Sequence, residues 1–370
     1  MQQEVPKLKK DDNLLSSNEK KSKKRKIIFL VTMLIVLAII SFVVFKFYKS
    51  RSSSLVMQAP SSEKFVSESK SFPFEEMTIP YLKARDYTSS LEKLVQNSSN
   101  GSYTSYLTSY DSDGLKVNGL LTIPSGKTPD GGWPAIVFVH GYIPPSTYRT
   151  VSNYTAYVDY LAKNGFVVFK IDLRGHDKSE GVAGGGYYSG DYIIDTLNAR
   201  AALMNADFVN AKKIGLWGHS MAGNVVSRAL AARADIPAIV IWAGAVYTYS
   251  DFSQFRISDN SYRPPSDQSL ARKKRDELFE MYGAFDPKSE FWKLVPMTNY
   301  LSDIKGAIQL NHAVDDDVVS IDYSRNFNKI LDSTQIKHEL NEYSGGGHNI
   351  NNSFFNTAMQ NTVRFFKDNL

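Results

Sequence analysis

In the stretch KIGLWGHSMAGN (Lys213–Asn224), Ser220 stands between a strand-like apolar run and a helix-like run. A nucleophile on such a strand–turn–helix corner stands clear of its neighbours, provided the residues two before and two after it are small. Here those are Gly218 and Ala222, with Gly223 next. A serine hydroxyl at neutral pH is a poor nucleophile and needs an imidazole to take its proton. Six histidines are available: His140, His176, His219, His312, His338 and His348. His348 lies in YSGGGHNI (Tyr343–Ile350), a glycine-rich loop after the last strand-like run, and is the expected base. His219 adjoins Ser220, but its side chain should leave the corner in another direction. His140 ends an earlier strand, and His338 falls mid-strand. The imidazole in turn needs a carboxylate to hold its tautomer. LNHAVDDDVVS (Leu310–Ser320) ends a strand with three aspartates. Asp315, the first of them, is the expected partner, while Asp316 and Asp317 should cap the next turn or face solvent. Their spacing is not that of a calcium loop, so no metal is expected, and no cofactor. A developing oxyanion would need two backbone N–H donors. The residue after the nucleophile, Met221, should supply one, and Tyr142, following VFVHG, the other.

These side chains come from distant parts of the chain, so the elements between them must bring them together. Ser102–Tyr110 and Leu115–Pro124, separated by DSDG, read as a β-hairpin. Apolar strands then alternate with helices. The strands are Pro134–Gly141, Gly165–Gly175, Lys213–Ser220, Pro237–Ala245, Ala307–Ala313 and Lys337–Gly345. The helices are Tyr154–Gly165, Asp191–Ala206, Ser220–Ala234, Ser324–Ser333 and Asn352–Asn369. Near-continuous apolar strands separated by helices predict an α/β class: a mostly parallel sheet covered on both faces, with the hairpin as an antiparallel edge. Residues 252–300 break the rhythm and read as a cap-like insertion with a helix over Ser269–Gly283. Its run RKKRDE (Arg272–Glu277) reads as a solvated helix face.

Ahead of this region, Ile27–Phe45 holds nineteen residues without charge, proline or glycine. As a helix they would extend roughly 28 Å, close to the thickness of a bilayer core. Six basic residues between Lys20 and Lys26 precede the run, against Lys46, Lys49 and Arg51 after it. That bias predicts a signal anchor with the amino terminus cytoplasmic and the bulk of the chain outside. The expected organisation is a basic tail (1–26), a transmembrane anchor (27–45), a serine-rich stalk (46–71) and a folded domain (72–370). FPFEEMTIPYLKARDY (Phe72–Tyr87) should dock on that domain, and NSSNGS (Asn97–Ser102) reads as a turn-rich break. The chain of 370 residues carries a net charge of +5, but residues 1–51 hold 12 Lys and Arg against 4 Asp and Glu. The remainder, with 31 basic and 34 acidic residues, is mildly acidic. A nucleic-acid face is therefore not expected there. The absence of cysteine excludes disulfides, thiolate metal sites and a cysteine nucleophile.

Five ordered motifs, VFVHGY, IDLRGHDKSEG (Ile171–Gly181), GLWGHSMAG, AVDDDVV and GGGHN, resemble the α/β-hydrolase superfamily. They are most similar to its prolyl oligopeptidase/dienelactone hydrolase branch, over about residues 102–370. The resemblance implies Ser220, Asp315 and His348 as a triad, with Tyr142 and Met221 as oxyanion donors. It implies a serine hydrolase acting on a small ester or short peptide substrate through an acyl-enzyme, either carboxylesterase-like or peptidase-like. Two positions depart from the pattern: Ala222 stands where the family has glycine, and so does His312. No β-propeller fits into residues 52–101. The alternative is a hydrolase-like domain used for binding or adhesion without catalysis. Oligomeric state stays open.

Overall fold

The computed structural model describes residues 73–264 and 269–370. The expected tail, anchor at Ile27–Phe45 and stalk lie outside the described residues. Among the described residues, no helix is long and apolar enough to cross a membrane.

Among the described residues, nine strands form one sheet: β1 (Val95–Ser99), β2 (Tyr103–Ser112), β3 (Leu115–Pro124), β4 (Trp133–Val139), β5 (Val167–Ile171), β6 (Val209–His219), β7 (Ala238–Trp242), β8 (Ala307–Ala313) and β9 (His338–Tyr343). Their order is β1-β2-β3-β5-β4-β6-β7-β8-β9. The first three run antiparallel to their neighbours, and the remaining six are mutually parallel. Seven α-helices accompany them among the described residues: α1 (Ile79–Ala84), α2 (Thr155–Lys163), α3 (Asp191–Met204), α4 (Ala222–Ala232), α5 (Leu270–Tyr282), α6 (Asp322–Leu331) and α7 (Phe355–Asn369). Strands β5, β7 and β8 are buried at every residue, as double-sided cover requires. The predicted hairpin is β2–β3, paired from Tyr103↔Pro124 to Ser112↔Leu115.

Strand β1 lies partly within the segment read as a break. Its sequence VQNSS is exposed throughout and lacks apolar alternation. Pairing with β2 makes it a strand, and the turn contracts to residues 100–102, where Asn100 Oδ1 accepts from the amides of Ser102 and Tyr103. The segment from Phe74 onward docks as expected. Ile79 and Leu82 are fully buried, and the buried Arg228 of α4 donates to the carbonyls of Met77 and Ser189.

After β4 the chain crosses to β5 on one side, and β6 then pairs with β4 on the other. The loops after β4 and β6 therefore part over one crevice at the carboxyl edge, where ligands of such sheets bind. The insertion lies between β7 and β8 and adds no strand to the sheet. Only Leu278 of α5 is buried, so the basic run is a solvated face. Tyr188 packs edge-on against Phe279 and Trp292 and tilted against Phe252, tying the insertion to the loop before α3.

Candidate active site

Strand β6 ends at His219 and α4 begins at Ala222. Two residues thus carry the whole turn. Ser220 takes φ +56°, a left-handed conformation that a serine adopts only when its surroundings enforce it. Its amide donates to Trp242 O of β7 at 2.8 Å, and its carbonyl accepts from Gly223 N at 2.9 Å. The corner needs Gly218, because a Cβ there would stand 2.7 Å from Ala222 O and 3.0 Å from Val226 Cγ2. Ala222 itself is fully buried, so its methyl is accommodated in the packing rather than presented to solvent.

His219 has both ring nitrogens engaged. Nδ1 lies 2.7 Å from Tyr154 OH, and Nε2 lies 2.8 Å from the carbonyl of His348. Tyr154 OH also accepts from Gly141 N at 3.0 Å. The donors and acceptors balance if Tyr154 donates to Nδ1 and the Nε2–H donates to His348 O. Burial, helped by the nearby His348, pushes the His219 pKa down to about 3, so its imidazole is neutral. His219 is therefore a tie between three loops. This network is why it is not free to act as the base.

The ring of His348 lies with its centroid 4.6 Å from that of His219, the neighbour of Ser220. Its Nδ1 is 2.9 Å from Asp316 Oδ2. The carboxylate at the imidazole is thus Asp316, and the expectation of Asp315 is corrected. Strand β8 ends at Ala313 and the next two residues turn outward. Asp315 is exposed, whereas Asp316 returns beneath the sheet edge with only 5% of its surface accessible. Asp316 also makes the turn cap foreseen for it, because Oδ1 accepts from Val318 N and Val319 N, each at 2.9 Å. Burial opposes its charge, but hydrogen bonds from His312 and His348 prevail and hold its pKa well below the usual carboxylate range. Asp315 instead grips the histidine's loop. Its Oδ1 accepts from Gly347 N at 2.8 Å and its Oδ2 from Gly346 N at 3.3 Å. At Asp317 the backbone carbonyl accepts from Arg256 of the insertion.

Among the described residues, neither Tyr142 N–H nor Met221 N–H is spent on a hydrogen bond within the protein. The loop bearing Tyr142 presses close to the corner. A Cβ on Gly141 would lie 3.0 Å from His219 O and 3.0 Å from His219 Nδ1. A buried polar network holds the rest of that loop. Tyr148 OH donates to Asp172 Oδ1 at 2.8 Å, and Thr150 Oγ1 lies 2.5 Å from Asp172 Oδ2. Lys170 Nζ donates to Thr150 O at 2.6 Å. Burial pushes Lys170 down to about 8 and Asp172 up to about 6. No motif in the sequence marked these two residues as loop supports; a lysine and an aspartate flanking an apolar strand residue, KID (Lys170–Asp172), were the available signal.

The insertion touches two sides of this arrangement. Ile257 bridges to Val319, with Ser258 N donating to Val318 O at 2.7 Å and Ser320 N to Arg256 O at 3.0 Å. Arg263 N donates to Tyr142 OH at 3.0 Å.

Residues 134–277 match a family described as serine aminopeptidase, S33. Acetyl xylan esterase from Paenibacillus sp. R4 superposes with a TM-score of 0.58 at 16% identity, over 82% of this chain and 97% of its own. Acetyl xylan esterase 1 from Thermoanaerobacterium sp. JW/SL YS485 gives 0.53 at 20% identity, over 79% and 93%. A puromycin-hydrolyzing peptidase of Mycobacterium tuberculosis gives 0.58 at 18% identity, over 74% of this chain and 40% of that one. Its sheet order and serine corner are those of the α/β-hydrolase fold, and the residues that match the serine aminopeptidase family span that corner.

Proposed function

We propose that the protein cleaves a carboxylic ester through an acyl-enzyme, with Ser220 as nucleophile, His348 as general base and Asp316 as the imidazole's partner. The observation that carries this reading is the 2.9 Å hydrogen bond from His348 Nδ1 to a buried, ionised Asp316, with the ring lying against the residue next to Ser220. Asp316 fixes the Nδ1–H tautomer and leaves Nε2 as the proton acceptor. His348 Nε2 takes the proton from Ser220 Oγ as that oxygen attacks the acyl carbon. The negative charge gathers on the former carbonyl oxygen, where the unspent N–H groups of Met221 and Tyr142 receive it. The imidazolium then gives the proton to the leaving oxygen, and a water repeats the sequence on the acyl-enzyme. Ser220 Oγ makes no hydrogen bond among the described residues, a contact that commonly tightens only once substrate is bound.

An ester is favoured over an amide because the two acetyl xylan esterases align over nearly their whole length. The peptidase aligns over well under half of its own. The second reading, cleavage of an aminoacyl amide, rests on the family matched over residues 134–277. A fluorophosphonate probe tests the mechanism: the wild type should label, and Ser220→Ala should not. A folded wild type that stays unlabelled would favour the binding or adhesion alternative. Matched acyl esters and aminoacyl amides then separate the two substrates. We further propose that Ile27–Phe45 anchors the domain outside the cytoplasmic membrane, on the strength of its apolar run and the basic residues before it. Protease treatment of intact cells should release the domain through residues 46–71, and release only after lysis would reverse that topology.

A further inference from the structure

Asp316 Oδ2 faces two imidazoles. Besides His348 Nδ1 at 2.9 Å, His312 Nε2 lies 3.1 Å away. His312 is fully buried on β8. Its Nε2 is also 3.1 Å from Val319 O, and its Nδ1 is 2.8 Å from Ser324 Oγ of α6. Two acceptors at Nε2 require that nitrogen to carry a proton. The Ser324 hydroxyl can then donate to Nδ1, so every polar atom of the ring is satisfied with the imidazole neutral.

We propose that His312 is a positioning residue for the Asp316–His348 pair, donating to the same carboxylate oxygen and thereby setting both its direction and its strength as an acceptor for His348. The proposal rests on the reading of Ser220, Asp316 and His348 given above. Its physical content is division of charge. Oδ1 is already committed to the amides of Val318 and Val319. Oδ2 cannot turn away from His348 without also losing His312, so the carboxylate is held from four sides. An oxygen that accepts from two rings offers less negative charge to each. The His348 imidazolium is therefore less stabilised than it would be facing an undivided carboxylate.

The other charged groups nearby leave this balance in place. Asp315 is turned to the amides of Gly346 and Gly347. Glu342 on β9 is paired with Arg325 of α6. Arg256 donates to the backbone of Asp317. His219 lies over His348 but is neutral.

The test follows His348 by NMR titration in the full folded domain, which needs no turnover, together with the pH profile of ester cleavage. His312→Leu keeps volume but removes the donor. It should raise the His348 pKa by about one unit, move the acid limb of kcat/KM by the same amount, and lower kcat roughly 10- to 100-fold. His312→Gln can still donate to Asp316 and accept from Ser324, so it should restore most of both. Ser324→Ala leaves the donor but frees its tautomer, and should give an intermediate shift. An unchanged His348 titration in His312→Leu and in Ser324→Ala would overturn the proposal, as would a His312→Gln variant no better than His312→Leu. Should fluorophosphonate fail to label Ser220, the catalytic reading falls, while the NMR titration still decides whether the two imidazoles are coupled.

Discussion

The serine corner and the aspartate loop are both turns at the carboxyl edge of the same sheet, yet they are built in opposite ways. At the corner, geometry is local. Two residues separate β6 from α4, Ser220 is held at φ +56°, and Gly218 leaves the space that the returning helix fills. At Val314–Ser320 no residue takes a positive φ, and the roles of three consecutive carboxylates are assigned by what other elements bring to them. Asp315 meets glycine amides from the loop after β9, and Asp316 meets imidazoles from β8 and from that same loop. Asp317 meets the insertion through its carbonyl. A local corner can be recognised from its own residues, whereas a shared loop takes its meaning from its partners.

The largest effect should come from the local side. On the proposed mechanism Ser220→Ala removes the nucleophile and should lower kcat on the order of 10⁶-fold with little change in stability. Asp316→Asn comes next. The amide cannot hold the imidazole's tautomer as the carboxylate does, and kcat should fall about 10⁴-fold. Because Asp316 is held ionised well below the ordinary carboxylate range, its stabilising contribution is complete above that range and is lost only as the pH falls through its lowered value. The acid limb of the wild-type kcat/KM should accordingly show a single ionisation, with no second step from Asp316. Two ionisations on that limb would show Asp316 titrating alongside it, and the division of roles drawn here would fail.

The same contrast explains what was legible in the sequence. The six parallel strands, the β2–β3 hairpin and the serine corner are each written in a short window of residues, as apolar runs or as small residues at fixed offsets. Strand β1 was not legible, since VQNSS carries no apolar alternation and its conformation comes from pairing. The carboxylate that pairs with His348 lies one residue beyond the expected one for a related reason. Counting from the end of β8 selects Asp315, but it is the burial of His312 four residues earlier that marks Asp316 as the carboxylate facing inward. His312 is visible in the sequence, and its link to Asp316 needs the third dimension. Support of the Tyr142 loop by Lys170 and Asp172 was hidden in the same way.

Between the two regions stands Tyr154, whose hydroxyl connects Gly141 N–H to His219, which in turn reaches the carbonyl of His348. Tyr154→Phe would leave a buried amide and a buried imidazole nitrogen unpaired. The expected loss is about 1–3 kcal/mol of stability, with kcat reduced by roughly tenfold as the Tyr142 and His348 loops lose their common anchor. Chemical denaturation and kcat on one ester, taken together, measure it. If stability falls while kcat is unchanged, the tie serves folding alone, and the corner and the loops are positioned independently.

The smallest effect should belong to Asp315, and it sharpens the comparison most because its neighbour's is so large. Asp315→Asn keeps an oxygen to accept from Gly347 N and gives up the charge and, at most, the longer contact to Gly346. Being exposed, the lost charge matters little; one weakened hydrogen bond is worth about 1 kcal/mol or less. That corresponds to a few-fold change in kcat if all of it were felt at His348. Two adjacent carboxylates, changed to the same amide, should therefore differ by roughly three orders of magnitude in their effect on kcat. Equal losses at the two positions would mean that holding the glycine loop matters as much as holding the imidazole, and that the loop is as much a part of the catalytic geometry as the corner.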